Sequence, residues 1–114
     1  MKHAATLAFS CACLFVLSIS ISHAAGNIDA GKRASGKCQR CHGLDGNSSV
    51  NLFPRLAGQH ADYMVKALQD YQSGARKNPI MSTFAASLTK QDILDIAAYF
   101  ASQPKGLITL YYRK

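Results

Sequence analysis

The sequence has no tryptophan and no glutamate, three prolines, and four cysteines of which two fall within the first thirteen residues. Without glutamate, and with four histidines of which two also sit near the start, general acid–base chemistry has few agents. No arrangement of nucleophile and base is visible, so the chain is not expected to be an enzyme. The basic residues are scattered, with no arm or aromatic-interleaved stripe, which argues against a nucleic-acid partner. No βαβ pattern surrounds the cysteines. The longest apolar run, Leu7 to Ile21, is short of the roughly 20 residues a membrane-spanning helix needs, so no integral anchor is expected.

That run has another use. Lys2 precedes it and Ser22-His23-Ala24 comes after it, placing small residues at the two positions a signal peptidase inspects. Residues 1–24 read as a cleaved leader, and the mature chain begins at Ala25. Cys11 and Cys13 leave with the leader, so no disulfide framework is available despite an oxidising destination. Loss of Lys2 takes thirteen Lys and Arg to twelve against six Asp, a net charge of +6 on one small domain. Such an excess suggests an acidic protein partner.

What remains is organised around Cys38-Gln39-Arg40-Cys41-His42. CxxCH is the covalent haem-attachment signature. Each thiol adds to a vinyl group of the macrocycle, and the adjacent imidazole binds the iron as proximal ligand. A dithiol redox site would need the βαβ context that is missing. A zinc site would need four ligands in tetrahedral array. The mature chain offers only Cys38, Cys41, His42 and His60, two of them adjacent. The pattern therefore predicts one haem c, and export agrees with attachment completed outside the cytoplasmic membrane.

Along the mature chain, Asn27 or Asp29 opens a first helix running to about Lys37. Its Gly31, Ala34 and Gly36 are small enough for the last helix to cross closely. Turn residues Gly43 to Ser48 come next, then a loop over 51–59 on which Leu52, Phe53 and Leu56 can cover the haem. Ala61 to Ser73 form a second main helix ended by Gly74, with Met64, Leu68 and Tyr71 along one apolar stripe and Tyr63 and Ala67 beside it. Gly74 to Met81 read as a loop stiffened by Asn78-Pro79. Thr89 to Asp92 form a capping box, opening a helix with Ile93, Ile96, Ala97 and Phe100 on one face and ending before Pro104. The sixth iron ligand is narrowed to Met81, 39 residues after His42. Met64, His60 or an open position are the alternatives.

"CHGLDG", "FPRLAGQ", "YMVKALQDYQSGARKNPIM" and "LTKQDILDIAAYFAS", in that order, resemble a small bacterial class I cytochrome c over about Asp29 to Gln103. The likeness extends to the soluble monohaem types and to single domains of their dihaem relatives. It implies an all-α class I cytochrome c fold, with three main helices plus short helices and loops around one covalently attached haem. That domain would span 25–105, with 106–114 a C-terminal extension of unassigned role. The resemblance implies iron ligation by His42 and Met81 and thioether links at Cys38 and Cys41. Pro54 matches a proline whose carbonyl orients the proximal histidine, and Arg76 matches an arginine near the haem propionates. Two departures stand out. Ala34 lies where mitochondrial relatives place an aromatic at the helix crossing, so Tyr99 or Phe100 must fill the space, and no tryptophan is present to touch a propionate.

The implied function is periplasmic one-electron shuttling between redox partner proteins. Lys32, Lys37, Arg40, Arg55, Arg76 and Lys77 are candidates for a positive rim that docks an acidic surface. Alternatives are a haem subunit of a periplasmic dehydrogenase, with an interface through Leu107 to Tyr112, or a ligand-binding haem protein should Met81 leave the iron.

Overall fold

The last helix is the platform against which the first and third helices pack. In the computed structural model, which describes residues 25–106, the elements are α1 (Ile28–Ala34), α2 (Gly36–His42), α3 (Ala61–Ser73), α4 (Pro79–Ala86) and α5 (Lys90–Ser102), with no strand among the described residues. The expected leader, 1–24, and residues 107–114 of the expected extension lie outside them.

α5 starts where the capping box predicts. Thr89 Oγ1 accepts the Asp92 N–H at 3.1 Å, and Asp92 Oδ2 accepts the Thr89 N–H at 2.9 Å. The Thr89 hydroxyl also donates to Asp92 Oδ2 at 2.6 Å, and this bond, with the one from the Thr89 N–H, holds the Asp92 carboxyl below its ordinary range. The helix buries Ile93, Ile96, Ala97, Tyr99 and Phe100, and the last four form one cluster with Met64 of α3. It stops at Gln103, whose extended backbone leads into Pro104.

α1 crosses α5 closely enough that glycine is required. A Cβ at Gly31 would overlap the Asp95 carbonyl and come within 2.8 Å of Tyr99 Cβ. Tyr99 thus fills the crossing from the α5 side, and Phe100 beside it is wholly buried. Asp95, buried on α5, accepts the Asn27 N–H at 2.7 Å and the Gln91 amide at 2.8 Å. Through it the start of α1 is tied to α5.

Three expectations need correction. The first helix does not run unbroken to Lys37 but bends at Ser35, whose ψ of 2° departs from helical geometry. The backbone bonds Ser35 N–H to Gly31 O and Gln39 N–H to Ser35 O bracket the bend, and α2 carries the chain on to His42. Gly36 is not a crossing point, since a Cβ there would meet nothing within 4 Å. The stretch before Met81 is only partly loop: Asn78-Pro79 opens α4. A Pro at the first helical position after an Asn cap starts a helix, because its missing N–H would have had no partner there.

The two glycines of the first helical segment therefore predict opposite behaviour. Gly31→Ala should destabilise the haem-loaded protein by about 1–3 kcal/mol through overpacking. Gly36→Ala should leave it unchanged or raise stability by up to about 1 kcal/mol. Denaturant unfolding of the two variants beside the parent checks both.

Candidate functional site

His42 ends α2, and the loop after it decides its chemistry. Gly43, at φ 88°, reverses the chain, and Gly46, at φ 82°, turns it again under α5. A Cβ at Gly46 would stand 2.7 Å from the Ala57 nitrogen and 2.8 Å from Phe100 Cδ1. The Gly46 carbonyl accepts the Leu56 N–H at 2.8 Å, closing the loop on itself. Pro54 is thereby carried back to His42, whose Nδ1 lies 2.7 Å from the Pro54 carbonyl oxygen. A carbonyl only accepts, so Nδ1 holds the proton and Nε2 keeps its lone pair for a metal. The ring is buried, with the edge of Phe53 against it at 6.4 Å between centroids.

Cys38 and Cys41 lie one turn apart on α2, half-buried and not joined to each other. Burial pushes the Cys38 thiol up, with a backbone hydrogen bond opposing the shift and the neighbouring Cys41 adding to it. Both thiols and His42 open on a groove whose chambers measure about 220 and 180 Å³. Cys38, His42, Pro54, Tyr71 and Met81 line both chambers. Leu52 and Phe53 line the first and Leu56 the second, so all three apolar loop residues face the groove.

Met81 reaches the groove from the first turn of α4. Asn78 Oδ1 accepts both the Ile80 and Met81 N–H groups at 3.0 Å. The far end of α4 is fixed to α3 by Gln72, whose amide donates to the Ala85 and Leu88 carbonyls at 2.8 Å each. Met64 lines the second chamber but belongs to the buried core cluster. His60 is exposed at the start of α3 and lines neither chamber. Arg76 lines the second chamber, its guanidinium donating to the Tyr63 hydroxyl at 3.2 Å and lying 5.0 Å over the Tyr71 ring.

The predicted rim divides. Arg55 and Arg76 line the second chamber. Lys37 lines the first chamber and, with Arg40 and with Arg33, which the sequence pattern does not single out, also borders an adjoining cleft between α2 and α4 that Cys38 and Met81 share with the groove. Lys32 and Lys77 line neither groove nor cleft. Sequence reasoning takes Asn78 as stiffening the approach to Met81 but not as a helix cap, and it misses Gln72. Asn78-Pro79 carries the helix-start signal; Gln72 carries none, because its partners are carbonyls on another element.

Two thiols one turn apart, a tautomer-fixed histidine and an apolar groove suit a covalently held macrocycle. The family profile described as "Cytochrome c" matches residues 28–104. The chain belongs to the cytochrome c family. It is 49% identical over 81 residues to cytochrome c4 of Thiocapsa roseopersicina, covering 70% of this chain and 42% of that one. It is 40% identical to cytochrome c-554(548) of Halomonas halodenitrificans over 69% of this chain and 99% of that one. The crystal structure of reduced recombinant cytochrome c4 from Pseudomonas stutzeri superposes with a TM-score of 0.69 at 41% identity. That match covers 73% of this chain and 48% of that one. The chain spans about half the length, or less, of the cytochromes c4 it matches. The fold is the all-helical class I cytochrome c fold, and haem c is the cofactor, with Cys38 and Cys41 in the CxxCH position.

The double acceptance by Asn78 makes it the support of the Met81 turn. Asn78→Ala should cost about 1 kcal/mol of stability, while Asn78→Asp should retain most of it. Chemical denaturation of the two variants distinguishes a cap from a packing effect.

Proposed function

We propose that this chain is a one-electron carrier, exported to the periplasm after removal of residues 1–24, and not an enzyme. The observation that carries the reading is the shared groove: α2 presents His42 with Nδ1 already committed, and α4 presents the Met81 thioether. His42 and Met81 would bind the iron, and Cys38 and Cys41 would carry the thioether links. When bound, the haem supplies the Fe(II)/Fe(III) couple.

The side chains set how that couple behaves. A methionine thioether favours the ferrous state and raises the potential relative to a second histidine. The Pro54 carbonyl orients His42 and makes its Nε2 more basic. With both axial positions filled from the chain, no coordination site is left for oxygen or peroxide, which favours carriage over catalysis. Arg76 and Arg55, both in the lining of the second chamber, would pair with the haem carboxylates. Among the described residues no helix is long and apolar enough to cross a membrane.

Arg33, Lys37 and Arg40 are the cations gathered at one cleft for a partner. They flank exposed Phe84 between α2 and α4, where Asp92 is the one acidic residue of the lining, and the ion pair Lys66–Asp70 is the only one among the described residues. Unpaired charge around an apolar centre fits a brief, salt-sensitive encounter with an acidic redox protein.

Absorption spectra test the ligand set. The wild type should be low-spin with the weak red methionine–iron band, and Met81→Ala should lose that band. A high-spin wild type would overturn the carrier reading and favour a ligand-binding haem. Voltammetry on a carboxylate-coated gold electrode tests the docking face. Joint charge reversal of Arg33, Lys37 and Arg40 should abolish the adsorbed response, and the same reversal at Lys32, Lys77 and Lys90 should spare most of it. Equal losses would mean that net charge, not this face, governs docking.

A further inference from the structure

The loop that brings Pro54 to His42 is fastened at both ends by one residue far along the chain. Asn47, at its start, donates from Nδ2 to the Pro104 carbonyl at 2.9 Å, and its Oδ1 accepts the Gly106 N–H at 2.7 Å. Arg55, next to Pro54, donates from Nη1 to the Gly106 carbonyl at 3.2 Å. Asn47 is itself held by Asp45, which accepts its backbone N–H and its side-chain Nδ2, both at 2.9 Å. Gly106 thus bridges the two ends of the loop, its N–H on Asn47 and its carbonyl on Arg55. The fit is close: a Cβ at Gly106 would lie 3.0 Å from Asn47 Oδ1 and 3.4 Å from Arg55 Nη1.

The loop needs such a fastening. Residues 43–60 contain no helix. Inside the loop the backbone bonds are Gly46 N–H to Gly43 O, Phe53 N–H to Val50 O, Leu56 and Ala57 N–H to Gly46 O, and Gln59 N–H to Leu56 O. α5 holds its two flanks, through Tyr99 on the Leu44 carbonyl and the Phe100 carbonyl on Gly58 N–H, but none of these bonds reaches Pro54 or its immediate neighbours except Phe53. Pro54 has no N–H of its own, and its side chain is exposed. Its carbonyl is therefore positioned by its neighbours, and the neighbour with a long-range tie is Arg55.

We propose that Asn47, Arg55 and Gly106 form a clasp that holds the Pro54 carbonyl on His42 Nδ1, and so help to set the reduction potential of the haem. They are positioning residues, acting through Pro54 and His42. The inference rests on the reading of His42 as proximal iron ligand. Hydrogen-bond strength falls steeply with misalignment. A looser carbonyl leaves the imidazole less basic, which stabilises ferric iron less and shifts the couple toward the ferrous form.

Asn47→Ala is the informative variant because it changes no charge, whereas Arg55 also faces the haem groove. In the haem-loaded protein, exchange of the His42 Nδ1 proton followed by NMR should become about tenfold faster, and the ferrous-to-ferric ratio at fixed potential should rise about two- to fivefold. Gly106→Ala, which crowds Asn47, should move both readouts the same way. Thr89→Ala, which removes the α5 cap far from this loop, provides a variant of comparable instability. Should it change Nδ1 exchange and potential as much as Asn47→Ala does, or should Asn47→Ala change neither, the clasp is wrong. The exchange measurement repeated in Met81→Ala separates this outcome from failure of the proposed ligand set, since the His42–Pro54 bond does not involve the sixth ligand.

Discussion

The hydrogen bond between His42 Nδ1 and the Pro54 carbonyl, 2.7 Å long, is the constraint on which the rest of the site depends. It fixes the tautomer, leaves Nε2 free for iron, and sets the angle at which the ring meets the groove. To make it, the chain must leave α2 and return within twelve residues. Gly43 and Gly46 supply the two left-handed turns. Gly46 can lie against Phe100 only because it has no side chain, so ligand geometry and core packing share one residue. A side chain there would disturb both at once.

The other half of the site depends on α5 in a different way. α1 is pressed onto it at Gly31, and α3 packs along it through Met64. α3 in turn holds α4 through Gln72, and α4 presents Met81. The two sides of the groove are therefore carried by α1 and α3, which both pack on α5, with α2 continuing from α1 and α4 resting on α3. A domain this small has a limited core of its own. The apolar groove residues, Leu52, Phe53, Leu56 and Leu68 among them, belong to a core that a covalently bound macrocycle completes.

Much of this is legible in the sequence because it is local. CxxCH is contiguous, the capping box spans four residues, and Gly74 marks the end of α3 by its left-handed backbone. The features that escape have three physical causes. Asn78-Pro79 reads as a breaker although the same pair starts a helix, which hides α4 and makes the approach to Met81 look like loop throughout. The bend at Ser35 is hidden because the residue is wholly buried, and its hydroxyl returns to the Lys32 carbonyl, a bond that composition does not announce. Long-range partners are invisible for a third reason. Asn47 and Gly106 are 59 residues apart, and half of their bond is backbone. The positive rim is legible as charge, but its division between the haem groove and the adjoining cleft needs three dimensions.

The central claim is that this chain carries one electron on one haem. Potentiometric titration of the haem-loaded protein, followed in the visible bands and paired with haem quantitation, tests it most directly. The account predicts a single reversible one-electron transition and one haem per chain. A two-electron transition, or a reduced form that is oxidised irreversibly by peroxide with turnover, would contradict it.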